Sequence, residues 1–174
     1  MKILAFAGSS SIHSINKKLV KFALSQLQGQ HEIELLDLND YEMPIYSIDK
    51  ETSSGIHPLA LQFAAKIDQC DLIIVSLAEH NGAYSTAFKN IFDWVSRISG
   101  RKVWGGKNMI LMATSPGSRG GLSVLEIAKN KFPNSGANIL GTFSLPNFEQ
   151  NFSEDKGIID ENKQLELLSV LSLI

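Results

Sequence analysis

Short apolar runs recur along this chain, separated by segments in which apolar residues return every three or four positions. The runs have the length of buried strands, and the segments between them have the period of amphipathic helices. Regular alternation of this kind is typical of a parallel sheet whose two faces are covered by helices. The predicted strands are Ile3–Ala7, Glu32–Leu36, Leu72–Leu77, Met109–Ala113 and Ala137–Phe143.

The order of the strands follows from their chemistry and from the handedness of their connections. Crossovers between parallel strands are right-handed, which leaves a doubly wound sheet as the compact arrangement. The second strand belongs at an edge because Glu32 and Glu34 alternate with its apolar residues. We therefore predict one α/β domain over residues 1–174, with a flavodoxin-like, doubly wound five-stranded parallel sheet of order 2-1-3-4-5 and helices on both faces. Two longer segments, Leu38–Gly55 and Leu145–Gly157, are predicted to be irregular functional loops.

The overall charge and the lone cysteine exclude several classes of protein. The 174 residues include 16 Lys and Arg against 18 Asp and Glu, a net charge of −2. Such a chain lacks the broad basic surface that nucleic-acid binding requires. It also shows neither a signal-peptide core nor an apolar run of membrane-spanning length, so we expect a cytoplasmic protein. Cys70 has no intramolecular disulfide partner, and we interpret it as a small buried residue.

Three unusual loops follow the first, third and fourth predicted strands: Gly8–Asn16, Ala78–Gly82 and Thr114–Gly121. In an open α/β sheet, ligands bind beyond the carboxyl ends of the strands, where the strand order reverses. In the predicted order, these three loops line that crevice. The sequence therefore predicts a ligand site formed by the three loops together.

The first loop carries four serines immediately before a predicted helix. Hydroxyl groups and backbone N–H groups at the positive end of a helix favour an anion. The loop lacks the Gly-Lys-Ser/Thr ending of a nucleoside-triphosphate loop and the later glycines of G-x-G-x-x-G. A terminal monophosphate is therefore favoured, without a metal ion. The alternative is a simple helix N-cap at Ser14, with the other serines solvated.

The second and third loops are candidates for holding a flat ligand. The third loop carries three glycines and a proline, which either bring backbone amides close to a ligand or form an ordinary turn. The second loop places Glu79 and His80 after the most apolar strand, where a charged pair has no core to join. His80 is then either a ligand contact or a solvated histidine, while His13 is expected at the exposed tip of the first loop.

These loops resemble those of the NAD(P)H-dependent flavin mononucleotide (FMN) reductases. Proteins of that family carry GSLRxxSxN after strand one, PEYNGSxPGxLKNAIDWLSR across strand three and its helix, and SxSPGxxGG after strand four. The matching stretches here are Gly8–Asn16, Ala78–Arg97 and Ala113–Gly121. Pro44–Tyr46 is similar to the family's loop after strand two. The motifs occur in order and cover nearly the whole chain.

Five residues depart from the family pattern. Ser11 replaces the usual arginine, so hydroxyls, amides and the helix end would have to balance the phosphate charge. Ala78 and His80 replace the proline and tyrosine of PEYN, and Ser85 and Thr86 replace the Pro-Gly pair at the entrance of the following helix.

The resemblance implies an activity and a set of partners. FMN would be the cofactor and NADPH or NADH the co-substrate, with hydride passing to the flavin and electrons then passing to a flavin, quinone, azo or similar acceptor. A flavodoxin-like FMN electron carrier without its own NAD(P)H turnover is the alternative, and a ligand sensor without catalysis is a third reading. Partners would be small-molecule acceptors, with no nucleic acid and no membrane.

The resemblance also implies a homodimer or a dimer of dimers, paired through the helices predicted after the third and fourth strands. Those helices carry Phe92, Trp94 and Phe132, and any of these aromatics left outside the core would form a patch for a partner. Lys89, Asp93 and Arg97 are spaced so that they share one helical face. That stripe is either a solvated ion-pair face or part of the subunit interface.

Carried over position by position, the resemblance implies a phosphate site in the first loop and a flavin-ring site in the other two. No side chain is expected to act as catalytic acid, base or nucleophile, because the flavin carries the chemistry. Tyr46 and Tyr84 are expected either over the flavin face or in the wall beside it. The implied cofactor-binding residues are Ser9, Ser11, Ser14, Ile15, Asn16, Tyr46, Ala78, Glu79, His80, Asn81, Gly82, Ser115, Pro116, Gly117 and Ser118.

Overall fold

A computed structural model describes residues 1–27, 29 and 31–174 of the chain. Its central sheet has five parallel strands in the order β2-β1-β3-β6-β7, which confirms the predicted order with the second strand at an edge. Two short antiparallel hairpins, β4–β5 and β8–β9, lie outside this sheet. The strands are β1 (Lys2–Gly8), β2 (Glu32–Leu36), β3 (Leu72–Leu77), β4 (Glu79–His80), β5 (Ala83–Tyr84), β6 (Asn108–Thr114), β7 (Asn138–Leu145), β8 (Phe152–Ser153) and β9 (Gly157–Ile158).

Helices cover both faces of the sheet, as predicted. Helices α1 and α7 pack on one face, and α3, α4 and α5 pack on the other. Strand β3 lies between the two layers, and all of its residues are buried. The helices are α1 (Ile15–Ser25), α2 (Ile48–Ser54), α3 (Pro58–Gln69), α4 (Thr86–Ser96), α5 (Leu122–Lys131), α6 (Phe148–Asn151) and α7 (Glu161–Leu171).

The two segments predicted to be irregular loops contain short regular elements instead. The first includes a 3₁₀ turn at Leu38–Tyr41 and helix α2, which Ser47 caps by accepting the N–H of Lys50. The second includes α6 and most of the β8–β9 hairpin. Elements of two to seven residues are too short to produce a recognisable hydrophobic period, and for this reason the sequence does not reveal them.

The three aromatic residues that would form a partner patch if left outside the core are all internal. Trp94, Phe92 and Phe132 are 2%, 7% and 0% exposed. Phe92 and Phe132 pack with Phe88 and Trp104 between the sheet and helices α4 and α5, and Trp94 packs against Tyr46 and His57. None of these three rings is left outside to form a patch, so the dimer stays a prediction without support from them.

The charged residues Lys89, Asp93 and Arg97 do not form one continuous set of ion pairs. Lys89 Nζ lies 2.7 Å from a carboxylate oxygen of Asp93, one turn away. Arg97 Nε lies 2.8 Å from Glu51 Oε2 on α2 instead of extending the pairing along α4. This hydrogen bond lowers the pKa of the Glu51 carboxyl. Cys70 is buried, as expected, and within the described residues no helix is long and apolar enough to span a membrane.

Candidate functional site

The three loops meet at the carboxyl edge of the sheet, as predicted. They enclose a cleft of about 230 Å³ between the ends of β1, β3 and β6. One side consists of the first loop and the start of α1, and the opposite side consists of the segments after β3 and β6. The lining residues are Ser9, Ser11, His13, Ser14, Ile15, Asn16, Ala78, Glu79, His80, Thr114, Ser115 and Pro116.

The three serines predicted to hold phosphate have their hydroxyl oxygens oriented by the backbone of the loop. Ser9 Oγ accepts the N–H of Ser11, and Ser11 Oγ accepts the N–H of His13, both at 3.2 Å. Ser14 caps α1 by accepting the N–H of Lys17 at 3.2 Å, so the N-cap alternative correctly describes its oxygen. Each hydroxyl retains one proton to donate, because these bonds use only its acceptor capacity.

Backbone donors add to these hydroxyls at the start of α1. The N–H groups of Ile15 and Asn16 belong to the first turn, where a helix offers no acceptor of its own. The helix also directs its positive end toward this point. The nearby cation Lys17 is engaged by Asp37, whose carboxyl pKa is lowered by that hydrogen bond. An anion in the cleft would therefore be held mainly by neutral donors.

The Asn16 side chain ties the loops together. Its carboxamide oxygen accepts the Ser76 hydroxyl at 2.7 Å and the Thr114 N–H at 3.1 Å, and its amide nitrogen donates to the Thr114 carbonyl at 3.2 Å. All three residues are buried. The carboxamide thus fixes the start of α1 against β3 and β6, and the Asn16 backbone N–H is its group suited to an anion.

Glu79, Asn81 and Gly82 each have a structural role: Glu79 caps a helix, and Asn81 and Gly82 form a turn. Glu79 Oε2 accepts the N–H of Val124 at 3.0 Å and so caps α5, whose N-cap residue Gly121 offers no side chain. Asn81 and Gly82 have φ values of 52° and 77°, as a two-residue type I′ turn requires, and they connect β4 to β5. The Asn-Gly pair was the sequence signal for this hairpin, and our sequence analysis missed it.

The glycines of the third loop serve packing. A Cβ on Gly120 would lie 2.4 Å from Ser144 Oγ, and one on Gly121 would lie 2.8 Å from the Cβ of Ala113. The loop is fastened to the chain after β7 by a bond from the Phe148 N–H to the Ser115 carbonyl at 3.1 Å. Ser115 and Pro116 therefore have a fixed position at the cleft.

The two tyrosines lie in walls of packed side chains. The Tyr46 hydroxyl donates to Glu51 at 2.7 Å, and its ring meets Trp94 edge to face. Tyr84 stacks on Phe132, with ring centroids 5.9 Å apart, and burial raises its pKa to about 12. Neither tyrosine is among the residues that line the cleft.

Ten of the fifteen predicted site residues line the cleft and five do not. Tyr46, Asn81, Gly82, Gly117 and Ser118 lie outside its lining, the last four in turns adjacent to it. Two lining residues, His13 and Thr114, were not among those predicted. Both lie in loops predicted to line the crevice, but the resemblance did not imply either as a cofactor-binding residue.

A doubly wound parallel sheet with an anion cradle where the strand order reverses defines the class of flavodoxin-like, nucleotide-binding proteins. The particular family follows from comparison with known proteins. The chain belongs to the NADPH-dependent FMN reductase family, whose model matches residues 1–150. Members of this family are oxidoreductases that use FMN with NAD(P)H as co-substrate, and the chain is an enzyme of this kind.

Named relatives agree with this assignment. The chain is 31% identical to a 2-hydroxy-1,4-benzoquinone reductase from a Burkholderia species, over 69% of this chain and 63% of that protein. It is 26% identical to an NADPH:quinone oxidoreductase from Arabidopsis thaliana, over 98% of this chain and 88% of that one. The structure of a flavoenzyme NAD(P)H:(acceptor) oxidoreductase from Paracoccus denitrificans superposes with a TM-score of 0.78 at 25% identity, covering 99% and 94% of the two chains.

The donor set of the cleft fits FMN. A terminal phosphate carries several acceptor oxygens, and the cleft offers the hydroxyl protons of Ser9, Ser11 and Ser14 together with the first-turn N–H groups of α1. None of the described residues that line the cleft is an arginine. At Ser11, where the resemblance expects an arginine, the cleft offers a hydroxyl and backbone donors, and their role toward phosphate stays a prediction.

Proposed function

We propose that this protein transfers hydride from NADPH or NADH to bound FMN and then reduces a small-molecule acceptor such as a flavin, a quinone or an azo compound. The observation that carries the proposal is the group of serines at the positive end of α1. The hydroxyls of Ser9, Ser11 and Ser14 accept backbone N–H groups of the loop and keep their own protons to donate to a ligand. The quinone and flavin reductase names of its relatives support the same class of acceptor.

In this proposal, the protein binds and orients while the flavin carries the chemistry. Ser9, Ser11, Ser14, Ile15 and Asn16 hold the phosphate. The segments 78–82 and 115–118 flank the flavin ring, and their backbone N–H groups stabilise negative charge on it. The Asn16 and Glu79 side chains keep these segments in register with α1 and α5.

We further propose that the enzyme is a cytoplasmic homodimer, alone or as a dimer of dimers, that pairs through the α4 and α5 side. The aromatic residues of α4 are buried and therefore unavailable for this interface. Exposed apolar side chains near α4 support it instead. Ile45 and Ile48 are 69% and 56% exposed. The chain just before Ile45 is bound to α4, because the Trp94 indole N–H donates to the Pro44 carbonyl at 2.8 Å.

A steady-state assay tests the activity. Protein reconstituted with FMN is expected to oxidise NADPH or NADH when a quinone is supplied as acceptor, and protein stripped of flavin is not. An electron carrier would instead bind FMN and show no turnover with either nucleotide. That second result would replace the reductase proposal with the carrier alternative.

Substitution of Ser9 tests the phosphate cradle. Ser9→Ala removes one hydrogen bond to a charged group, which contributes about 1.5–3 kcal/mol. FMN affinity should therefore fall roughly ten- to a hundredfold, at about 1.4 kcal/mol per decade. The matched control is Ser10→Ala on the same loop, because Ser10 does not line the cleft. Equal FMN affinity of Ser9→Ala and the wild type, measured by fluorescence titration, would place the phosphate elsewhere.

A further inference from the structure

A second groove, of about 510 Å³, lies between α1 and the β8–β9 hairpin, and we call it the α1 groove. One wall consists of side chains along α1 from Lys17 to Ser25, and the other is the hairpin segment from Phe152 to Gly157. Sites for small organic ligands measure roughly 300–1,000 Å³, so the α1 groove is large enough for one.

The α1 groove meets the cofactor cleft at its phosphate end. His13 and Ser14 line both spaces, next to the hydroxyls assigned to the phosphate. Among the residues that the structure describes, none from the ring segments 78–82 and 115–118 lines the groove. A group in the α1 groove can therefore be joined to the phosphate in the cleft, but it lies away from the flavin ring.

Positive side chains outnumber negative ones in the α1 groove. Its charged lining residues are the four lysines Lys17, Lys18, Lys21 and Lys156 and the two acids Glu154 and Asp155. The groove also begins at the positive end of the α1 dipole. In a protein with a net charge of −2, it is therefore a locally positive surface that favours an anion.

Two of these lysines, on opposite walls, are available to a ligand. Lys21 on α1 and Lys156 on the hairpin are exposed, and neither makes an ion pair within the part of the chain that the structure describes. Lys18 pairs across the groove with Glu154, but both side chains are largely exposed, so this pair contributes little and can exchange for another anion. Ammonium groups on both walls suit a phosphate between them.

The α1 groove also offers an aromatic surface farther from the cleft. Phe22 is half-buried on α1, eight residues beyond Ser14, or about 12 Å along the helix at roughly 1.5 Å per residue. It meets Phe152 edge to face, with ring centroids 5.9 Å apart. The face of Phe152 is itself occupied, because that ring stacks on Phe148. Phe22 is therefore the ring on which a flat base can rest.

We infer that the α1 groove binds the adenylate half of flavin adenine dinucleotide (FAD), so that the protein takes FAD as well as FMN. The inference rests on the proposed function, because it uses the phosphate position assigned to FMN. FAD differs from FMN by an adenylate joined to that phosphate, and the α1 groove leads away from the same position. Lys21 and Lys156 contact the second phosphate, and Phe22 contacts the adenine.

This placement is compatible with the composition of the first loop. The loop lacks the later glycines that let a backbone approach a bridging pyrophosphate. In the α1 groove the second phosphate lies outside that loop and between ammonium groups, so it does not depend on those glycines.

Titration of the flavin-free protein with each flavin, followed by fluorescence, tests the inference. FAD is expected to bind at least as tightly as FMN, and its affinity should fall more steeply with salt because the added interaction is coulombic. If neither flavin binds, the proposed function fails and the inference fails with it. If FMN binds and FAD binds more weakly than FMN, the inference alone is overturned.

Charge reversal provides the second test. Lys21→Glu combined with Lys156→Glu should lower FAD affinity about tenfold, which corresponds to about 1.4 kcal/mol. FMN affinity should stay unchanged, and that result also shows that the double variant is folded. The matched control is Lys102→Glu with Lys129→Glu, which makes the same charge change at exposed lysines outside the α1 groove.

The pattern of losses separates the uses of these lysines. If the double variant lowers FMN affinity as much as FAD affinity, the lysines serve the phosphate that both flavins share, and the inference is wrong. If FAD affinity does not change, the adenylate lies elsewhere, and the inference is again wrong. A loss confined to FAD and absent from the control variant supports the α1 groove as the adenylate site.

Discussion

Sequence similarity assigns Asn16 to phosphate binding, whereas in the structure its side chain makes three hydrogen bonds to the buried residues Ser76 and Thr114. A sequence motif identifies a position and does not show which atoms of the residue act. The same holds for Ser14, whose oxygen caps α1, and for Glu79, whose carboxylate caps α5. The Ser14 cap is local and was the N-cap alternative in the sequence. The bonds of the Asn16 and Glu79 side chains join residues 45 to 98 positions apart, and local pattern carries no information on such pairs.

The contribution of the Asn16 side-chain hydrogen bonds to stability can be measured with an alanine variant. Asn16→Ala leaves the Thr114 N–H, the Thr114 carbonyl and the Ser76 hydroxyl without their partner in the core. Buried unsatisfied groups cost about 1–3 kcal/mol each, so we expect the free energy of unfolding to fall by about 3 kcal/mol or more. Asn130→Ala, on the exposed face of α5, should change it by less than about 0.5 kcal/mol. Urea unfolding that gives equal values for the two variants would contradict the network.

Tyr84 provides a test at high pH. Its hydroxyl is buried, and within the described residues it has no hydrogen-bond partner. Burial raises the folded-state pKa from 10.0 to about 12, so the unfolded chain releases this proton first. Stability from this group is therefore complete below pH 10 and is lost as the pH rises toward 12. Tyr84→Phe should lose less stability than the wild type between these pH values, as measured by urea unfolding at each pH. Parallel loss in both proteins would show that the hydroxyl is solvated.

At the scale of elements, the sequence predicts those that are long and apolar. Leu72–Leu77 and Glu32–Leu36 have the predicted bounds, since a run of buried or alternating residues defines a strand by itself. The hairpins β4–β5 and β8–β9 have two residues in each strand and depend on turn residues and on what they pack against. Of these short strands, β4 lines the candidate site, so that part of the site is less predictable than the sheet that carries it.

Substitution of Gly157 tests how closely the β8–β9 hairpin packs against α1. This residue has a φ of 73°, and an added Cβ would lie 2.0 Å from the Phe22 ring. Left-handed backbone costs a residue with a side chain about 1–2 kcal/mol, and overpacking adds about 1–3 kcal/mol. Gly157→Ala should therefore destabilise the protein by about 3 kcal/mol. Gly100→Ala, at a φ of 77° with nothing within 4 Å, isolates the backbone cost. Equal losses in chemical denaturation would show that the hairpin does not rest on Phe22.

At the scale of the whole molecule, the sequence predicts the sheet and the helices that cover it. It predicts poorly which apolar side chains remain exposed on the surface. A period of apolar residues shows that Phe92, Trp94 and Phe132 lie on helices, but it does not show whether each one faces the sheet or a partner. The structure places all three inside. It leaves Ile45 and Ile48 outside, in a segment whose sequence has no period at all. Surface composition depends on how the elements pack, and that is the level at which prediction from one sequence fails.

The proposed dimer is the prediction that belongs to this scale. Exposed apolar side chains beside α4 favour a partner surface. Light scattering at micromolar concentration should return about 38 kDa, twice the 19.1 kDa of one chain, or a multiple of it. Ile45→Asp combined with Ile48→Asp places two charges on this surface and should shift the protein to 19.1 kDa. Leu165→Asp is the control, because Leu165 is 65% exposed on α7, across the sheet from α4. A wild-type monomer would contradict the dimer, and a dimer that survives the isoleucine substitutions would place its interface elsewhere.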